Sequence, residues 1–414
     1  MKRISSNMNN ADVQYNLRLQ ESRLNKATNQ MGSQQRIQNL RDDPIAAGHL
    51  VRYQSYQGRV EQFEKNAKTI TDQYSVSEGY INQAVQIMQR VRELAVTGAN
   101  GTYTKDDMEN MSLEVNELLK ELVNNANAVG PDGSTLFAGS KTTQSAFEVE
   151  MGPVKGSGSP LITNVRYNGS IAINNVEVDE QAYMNLNRNG NSIFWAESQR
   201  LFAQRDATGY QVTEDSIITV DGTDIKLNAG DNVYAIISKI NNSGSPIKAS
   251  LDPISKGLNL ETTDARQLWL EDSTGTTLED LGIIKDKSQR PPYNLGNSVQ
   301  VSGGSLFDTV IALRDSLISG DTESVGGKVL GGLDNALGNL ERRLAETGAL
   351  YERAQQNIAR AQTNNLNVTN MISREGDLDF TKAITDMKRL EYVQQATIST
   401  AGKLYQNSLL NYLN

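Results

Sequence analysis

The feature that most constrains this chain is a row of apolar and small residues spaced alternately four and three apart along the N-terminal part. The row comprises His49, Tyr53, Tyr56, Val60, Phe63, Ala67, Ile70, Tyr74, Ser77, Ile81, Ala84, Met88, Val91 and Ala95. Charged residues such as Arg59, Lys65 and Asp72 fall outside it. A sustained period of this kind is typical of helices that pack as coiled coils. It predicts one helix about 70 Å long at 1.5 Å per residue.

A second row with the same alternation lies in the C-terminal part. It comprises Leu333, Leu337, Leu340, Leu344, Thr347, Tyr351, Ala354, Ile358, Ala361, Asn365, Val368 and Ile372. Polar Asn365 on such a seam can fix the register at some cost in stability. We expect the two rows to pair within one subunit. The predicted seam residues are Phe63, Ile70, Tyr74, Ile81, Met88, Val91, Leu337, Leu340, Leu344, Tyr351 and Ile358.

The two ends of the chain carry apolar faces of different width. The N-terminal stripe is thin and contains Val13, Leu17, Gln20, Leu24, Ala27 and Met31, whereas the C-terminal arc from Phe380 to Tyr412 is wide. A wide arc must be buried against something, and a thin stripe does not stabilise a helix alone. We therefore expect these ends to contact other subunits. The predicted subunit-interface residues are Leu17, Leu24, Met31, Ile37, Leu40, Phe380, Ile384, Met387, Leu390, Leu404, Leu409, Leu410 and Tyr412.

Between the helical ends the amino-acid composition changes. Residues 136–304 are rich in Gly, Asn, Thr and Asp and are typical of short strands and turns. Val220–Thr223 contains an Asp-Gly pair suited to a hairpin turn. The predicted fold class is α+β: a long antiparallel helical coiled-coil bundle formed by both chain ends, with a β-rich domain inserted in the middle. The predicted domains are an N-terminal assembly helix (1–45), the N-terminal half of the bundle (46–135), the insert (136–304), the C-terminal half of the bundle (305–376) and a C-terminal assembly helix (377–414).

Composition excludes several classes of protein. Hydrophobic residues make up 37% of the chain and aromatics 6%, which is little for a large compact enzyme core. The net charge of −9 argues against a general nucleic-acid binder. No apolar run approaches the roughly 20 residues that span a bilayer, and the first residues lack the apolar segment of a cleavable secretory signal. The absence of cysteine rules out disulfides and cysteine-ligated metals.

The sequence offers no catalytic constellation. His49 is the sole histidine and lies on the seam, so neither a zinc-binding HExxH helix nor a Ser-His-Asp triad can be assembled. The glycine-rich segments 152–158 and 326–332 lack the phosphate-binding Gly-Lys-Ser/Thr ending, and we expect both to be loops. No catalytic residue, cofactor or metal is predicted, and the chain is not expected to be an enzyme.

Acidic residues near the helix starts have two interpretations. Asp42 and Asp43 before Pro44, and Asp379 before the C-terminal helix, are suited to helix capping, since aspartate accepts backbone N–H groups and proline fits a first turn. The alternative is a metal or catalytic pair of carboxylates at Asp42 and Asp43. We favour capping.

Several segments resemble the bacterial flagellin superfamily. At the N-terminal end these are Leu24–Lys26 and Arg36–Ala47, and at the C-terminal end Asp377–Ile384 and Ser408–Leu413. The resemblance extends over roughly residues 1–140 and 305–414. Within the superfamily, the branch at the hook–filament junction is the most similar. The features behind this are Pro44 after two aspartates, the loop Leu136–Thr142 and the segment Leu306–Leu313; Ile218–Asp252 resembles a small β-rich motif of flagellins and hook proteins.

The resemblance implies a structural adaptor that links hook to filament and supports motility. Its implied partners are a sibling hook-associated junction protein, flagellin, copies of itself in a ring and an export chaperone, with neither nucleic acid nor membrane insertion. It also implies that both terminal helices are disordered in the exported monomer and fold on assembly. The location would be the extracellular flagellum, or the periplasm where flagella are internal. The alternatives are a self-polymerising filament flagellin and a surface adhesin or enzyme displayed on a coiled-coil stalk.

Overall fold

The computed structural model describes residues 6–285 and 289–410, with side chains described for residues 11–285 and 289–403. The chain divides into two compact units, one containing the residues up to Lys65 and from Asn357 onwards, the other Asn66–Gln356. In the described ranges, no helix has the length and apolar character needed to cross a membrane.

Helices dominate both ends of the chain. They are α1 (Ser6–Ser33), α2 (Pro44–Gly98), α3 (Lys105–Ala126), α4 (Gly190–Ile193), α5 (Val233–Asn242), α6 (Thr277–Asp280), α7 (Leu306–Ser319), α8 (Thr322–Ser324), α9 (Leu330–Gly376) and α10 (Phe380–Leu410), with a π-helical turn at Val325–Val329. Capping boxes start two of them: Thr104 with Asp107 before α3, and Ser305 with Asp308 before α7. In a capping box two side chains satisfy backbone N–H groups that a helix start leaves unpaired.

The long helices α2 and α9 carry the two heptad rows. Every position of the α2 row from Val60 to Ala95 is buried, and Ile70 and Tyr74 are 0% exposed. Side chains join the two helices in antiparallel order. Gln57 Nε2 donates to Asn365 Oδ1 at 3.0 Å, and Arg92 Nε lies 2.5 Å from Asp334 Oδ1.

The fully buried residues on α9 coincide with part of the predicted row. Leu333, Leu340, Thr347, Ala354, Ala361 and Val368 are buried as members of the predicted row. Between them the buried residues include Ala336, Asn339, Arg343 and Asn357, while the predicted Leu337, Leu344, Tyr351 and Ile358 are half-buried. Leu337 and Leu344 still pack against buried apolar residues of the core, and buried polar side chains lie beside them where their hydrogen bonds are made. Arg343, for example, donates to Asp264 and Glu346.

The middle of the chain is β-rich, and the predicted α+β class is confirmed. The strands are β1 (Phe147–Gly152), β2 (Leu161–Tyr167), β3 (Asn175–Asp179), β4 (Ala182–Asn185), β5 (Arg200–Ala203), β6 (Ser216–Val220), β7 (Thr223–Leu227), β8 (Ile247–Leu251), β9 (Leu258–Thr262), β10 (Leu270–Thr274) and β11 (Val299–Ser302). They form sheets of order β11-β5-β9-β8 and β10-β6-β7 and the hairpins β1-β2 and β3-β4. All these pairings are antiparallel.

The expectation of a loop at residues 326–332 is wrong, since this stretch belongs to the π turn and the start of α9. Two of its glycines lie at close approaches. A Cβ on Gly332 would come within 3.0 Å of Thr309 Cγ2, and one on Gly326 within 3.3 Å of Ala99 Cβ. These glycines therefore allow close contact with neighbouring residues, which the sequence alone could not distinguish from loop flexibility.

Candidate assembly surface

The terminal helices α1 and α10 pack along each other. On α1 the half-buried side chains are those of the predicted stripe, with Gln30 beside them. None of the described α1 side chains, residues 11–33, is fully buried. The seam between the two helices is therefore thin, as expected when an apolar stripe is narrow and one neighbour covers it.

On α10 the contact side carries Ala383, Met387, Leu390, Gln394, Thr397 and Ala401, which are half-buried or buried. A second, adjacent side remains open. Phe380 is 44% exposed, Ile384 45% and Ile398 55%, and helical spacing places the three on one face. Because each of these side chains is already about half covered, covering it completely contributes roughly 1 kcal/mol, about half the value for full burial. This exposed face, Phe380–Ile384–Ile398, is the candidate assembly surface.

The predicted interface residues fall into three groups. Leu17, Leu24, Met31, Ile37, Met387 and Leu390 are half-buried. Leu40, Phe380 and Ile384 are exposed. Leu404, Leu409, Leu410 and Tyr412 lie outside the described side chains. Part of the predicted set is thus engaged within the chain, and a smaller part faces outward.

A short antiparallel bridge holds the segment after α1 against the end of α9. Gln35 pairs with Asp377, the Arg36 N–H donates to the Gly376 carbonyl at 2.8 Å, and the Leu378 N–H donates to the Gln34 carbonyl at 3.0 Å. We call residues 34–43 and 375–379 the clasp. It ties together the chain segments that lead into and out of the terminal helix pair.

The Arg36 side chain binds both halves of the clasp. Its Nη2 and Nε donate to the Glu375 carbonyl at 2.7 and 3.2 Å, and its Nη1 donates to Asp43 Oδ2 at 3.2 Å. A cation at the last carbonyls of a helix is favoured by the helix dipole. His49, predicted on the seam, is partly exposed here, with Nδ1 3.7 Å from Glu375 Oε1.

The acidic residues before the helices have distinct partners. Asp43 Oδ1 accepts the Ala46 N–H at 3.1 Å at the start of α2, whose first residue is Pro44. Asp379 Oδ1 accepts the Lys382 N–H at 3.0 Å at the start of α10. Asp42 instead binds the turn before α2, where it accepts the N–H groups of residues 38 and 39 and Lys26 Nζ at 2.7 Å. Asp42 therefore stabilises the clasp turn rather than the helix start.

These contacts lower the pKa of both carboxyl groups. The hydrogen bond from Lys26, with the Asn39 N–H, holds the pKa of Asp42 below its ordinary value. The Ala46 N–H, followed by Arg36, does the same for the pKa of Asp43. Across the residues that the structure describes, no group of three or more acidic or histidine side chains is arranged to hold a metal ion.

Sequence reasoning missed Arg36, Lys26 and Glu375 as members of this site. Arg36 and Glu375 are hundreds of positions apart, so no local spacing connects them. The available signal was the motif Arg36–Ala47, whose first residue is the arginine that joins the two halves of the clasp.

Three family models match the amino-acid sequence. The bacterial flagellin N-terminal helical region matches residues 4–142, the bacterial flagellin C-terminal helical region residues 330–413, and the flagellin hook IN motif residues 210–264. The chain belongs to the bacterial flagellin superfamily. The resemblance of both ends and of the central motif is thereby confirmed, and the clasp and α10 lie within matched regions.

Individual relatives include junction proteins and flagellins. Flagellar hook-associated protein 3 of Salmonella typhimurium is 24% identical over 303 residues, covering 70% of this chain and 86% of the relative. Polar flagellin A of Vibrio parahaemolyticus is 23% identical over 382 residues, covering 92% and 91%. Among solved structures, flagellar hook-associated protein 3 from Legionella pneumophila is similar with 15% identity and a TM-score of 0.46, covering 82% of this chain and 98% of that one.

Proposed function

We propose that this chain is a structural subunit of the bacterial flagellum and acts as the adaptor that links hook to filament. The observation that carries the proposal is the terminal helix pair. It is half-buried on one thin seam, exposes the face Phe380–Ile384–Ile398, and is anchored by the clasp. A helix pair of this kind becomes stable when further copies cover its open side.

The relatives support both the junction role and the alternative. Two curated relatives, each 24% identical over 70% of this chain, are named flagellar hook-associated protein 3, and others are flagellins. The partners of the proposed adaptor are a sibling hook-associated protein, flagellin, copies of itself and an export chaperone. Its location is the external flagellum, or the periplasm in bacteria with internal flagella. The domain division predicted from the sequence, with terminal assembly helices at 1–45 and 377–414, belongs to the same proposal.

Filament flagellin is the second candidate, because flagellins match over nearly the whole chain. The two roles differ in self-polymerisation. Purified protein added to isolated hooks should bind the hook end and stop there if it is an adaptor. Growth of long fibres by the purified protein alone would overturn the adaptor role in favour of flagellin.

The exposed face on α10 provides the direct test. In a strain that lacks the gene, we expect hooks without filaments and flagellin shed into the medium. Complementation with a Phe380→Asp, Ile384→Asp double variant should not restore filaments, because two carboxylates would have to be buried at the subunit contact. Electron microscopy of the cells measures this.

The matched control is Ile254→Asp, at a turn residue of the β-rich region that is 92% exposed. It adds a charge where no assembly contact is proposed and should restore filaments fully. Both purified variants should keep the parent's midpoint for the main unfolding transition, which shows that the rest of the monomer is folded. Normal filaments with the α10 variant would contradict the proposed assembly surface, whereas normal filaments in the deletion strain itself would contradict the function.

A further inference from the structure

The unit formed by residues 66–356 contains two separate hydrophobic cores. One core is built by α2, α3, α7 and α9 with the β1-β2 hairpin, and includes Phe194 and Phe307. The other comprises residues such as Ile218, Ile236 and Leu260 and lies within residues 200–302. We call residues 200–302 the module and the first core with its helices the helical core.

The module is tethered by two neighbouring strands. The chain enters it on β5 and leaves on β11, and these strands pair with Arg200 opposite Ser302. Gly303 follows β11 with φ +89°, where a Cβ would come within 2.5 Å of the Ser198 carbonyl oxygen. A region with its own core and adjacent entry and exit strands has the anatomy of a domain, and domains joined by modest polar interfaces move relative to each other by default.

Six charged side chains of alternating sign form a series from the module through α9 to Arg188, which follows β4. On the module, Arg266 binds Asp221 and Asp264, with its Nη2 2.8 Å from Asp264 Oδ2. On α9, Arg343 Nη2 donates to Asp264 Oδ2 at 2.7 Å and its Nη1 to Glu346 Oε2 at 2.9 Å. Arg188 Nη2 lies 3.9 Å from Glu346 Oε2. We call Asp221, Arg266, Asp264, Arg343, Glu346 and Arg188 the charge ladder.

Arg343 occupies the central position in the ladder. Asp221, Arg266 and Asp264 belong to the module, whereas Arg343, Glu346 and Arg188 lie outside it. Among the described ion pairs of these six residues, the pair between Arg343 and Asp264 is the one that connects the two groups. The Arg343 side chain is 10% exposed, and that of Asp221 5%. The burial of such an ion pair is weak evidence for net stability, because desolvation offsets much of the attraction.

The other contacts across the same boundary are mainly polar. Asn191 and Gln267 exchange hydrogen bonds through the Gln267 carbonyl and N–H, at 3.4 and 3.3 Å. The Tyr293 hydroxyl donates to the Tyr167 carbonyl at 3.3 Å. Trp269 provides an apolar contact, since it packs against the helical core while its neighbours belong to the module. The named contacts across this boundary are therefore mostly hydrogen bonds and ion pairs, with Trp269 as the apolar contribution.

We propose that the charge ladder is a docking latch, in which Arg343 fixes the module on α9, and that the module can be released as a folded body without unfolding either core. The ladder acts as a positioning device for the module. The latch is independent of the proposed flagellar role, because it is defined by contacts within one subunit.

The two tryptophans make release measurable. Trp269 lies at the boundary, and the carbonyl of Trp195 accepts a hydrogen bond from Asn339 Nδ2 at 2.8 Å on α9. Arg343→Met removes the link between the two halves and keeps the apolar stem. We expect its tryptophan emission to shift to longer wavelength and amide exchange at Gln267 to rise at least ten-fold. Exchange at Ile218, Leu260 and Leu333 should stay at the parent level.

The matched control is Arg92→Met, the same substitution at an exposed ion pair between α2 and Asp334 of α9. It should change neither tryptophan emission nor exchange at Gln267. If Arg343→Met, like Arg92→Met, changes neither tryptophan emission nor exchange at Gln267, the charge ladder does not hold the module on α9. If exchange at Ile218 rises together with that at Gln267, the module is not a separable body, and the proposal fails.

The parent protein gives a second measurement in case Arg343→Met does not fold. In the unmodified full chain, the amide of Gln267 should exchange at least ten-fold faster than that of Ile218, because release exposes the boundary but leaves the module core closed. Equal exchange at the two amides would overturn the proposal.

Discussion

The terminal helix pair and the inner stretches of α2 and α9 follow similar apolar patterns but differ sharply in burial. The row on α2 is buried without a break from Val60 to Ala95, whereas no described side chain of α1 is fully buried. From Ile81 to Ala95 the α2 row belongs to a core shared with α3, α7, α9 and the β1-β2 hairpin, and nearer its start Asn66 and Tyr74 contact the β3-β4 hairpin. The terminal helices α1 and α10 pack against each other. A heptad pattern therefore predicts that a helix will pair, and the number of neighbours decides whether the pair is stable in one subunit.

Truncating one apolar residue in each region should lower the free energy of unfolding by different amounts. Ile70→Ala removes a fully buried side chain and should lower the free energy of unfolding by about 2–5 kcal/mol. Leu24→Ala removes a half-buried one and should cost about 1 kcal/mol, roughly half the value of full burial. Urea unfolding followed by circular dichroism at a helical wavelength measures both. Equal losses would mean that the terminal pair is as well buried as the inner stretch.

Much of the difference in burial between the terminal helix pair and the inner stretches could be predicted from the sequence, but not all of it. The α2 row and the α1 stripe follow directly from the spacing of apolar residues. The burial of Arg343 on α9 does not follow from that spacing, because this residue is charged and its burial depends on partners elsewhere in the chain. Arg343 is buried because Asp264 meets it from the β-rich region. The clasp could not be predicted for the same reason, since Arg36 and Glu375 come together only when the two ends fold against each other.

The clasp and the inner stretch of α2 should also differ in how their amide protection responds to pH. The pKa values of Asp42 and Asp43 are lowered in the folded state, so their stabilising contacts are complete above the ordinary carboxyl pKa and are lost as the pH falls below about 4. We expect amide protection at Asn39 and Ala46 to decline on acidification while protection at Ile70 persists. Hydrogen exchange measured at a series of pH values, corrected for intrinsic rates, tests this.

Asp43→Asn separates the charge from the cap, because asparagine also accepts N–H bonds at a helix start. This variant should retain protection at Ala46 at neutral pH and lose the part of the acid response that comes from Asp43. A parent protein whose protection at Ala46 is unchanged down to about pH 3 would show that these carboxylates do not stabilise the clasp.

The smallest expected effects come from two exposed helical glycines, Gly338 in α9 and Gly402 in α10. A Cβ at either position would meet no atom within 4 Å. Alanine is favoured over glycine in a helix interior by up to about 1 kcal/mol. Gly338→Ala should therefore raise the thermal midpoint of the main unfolding transition by a few degrees. Gly402→Ala should increase helical signal at low temperature and leave that midpoint unchanged, because α10 belongs to the thinly buried pair. If Gly402→Ala raised the main midpoint as much as Gly338→Ala, the terminal pair would unfold cooperatively with the inner helices, and the contrast in burial would have no counterpart in stability.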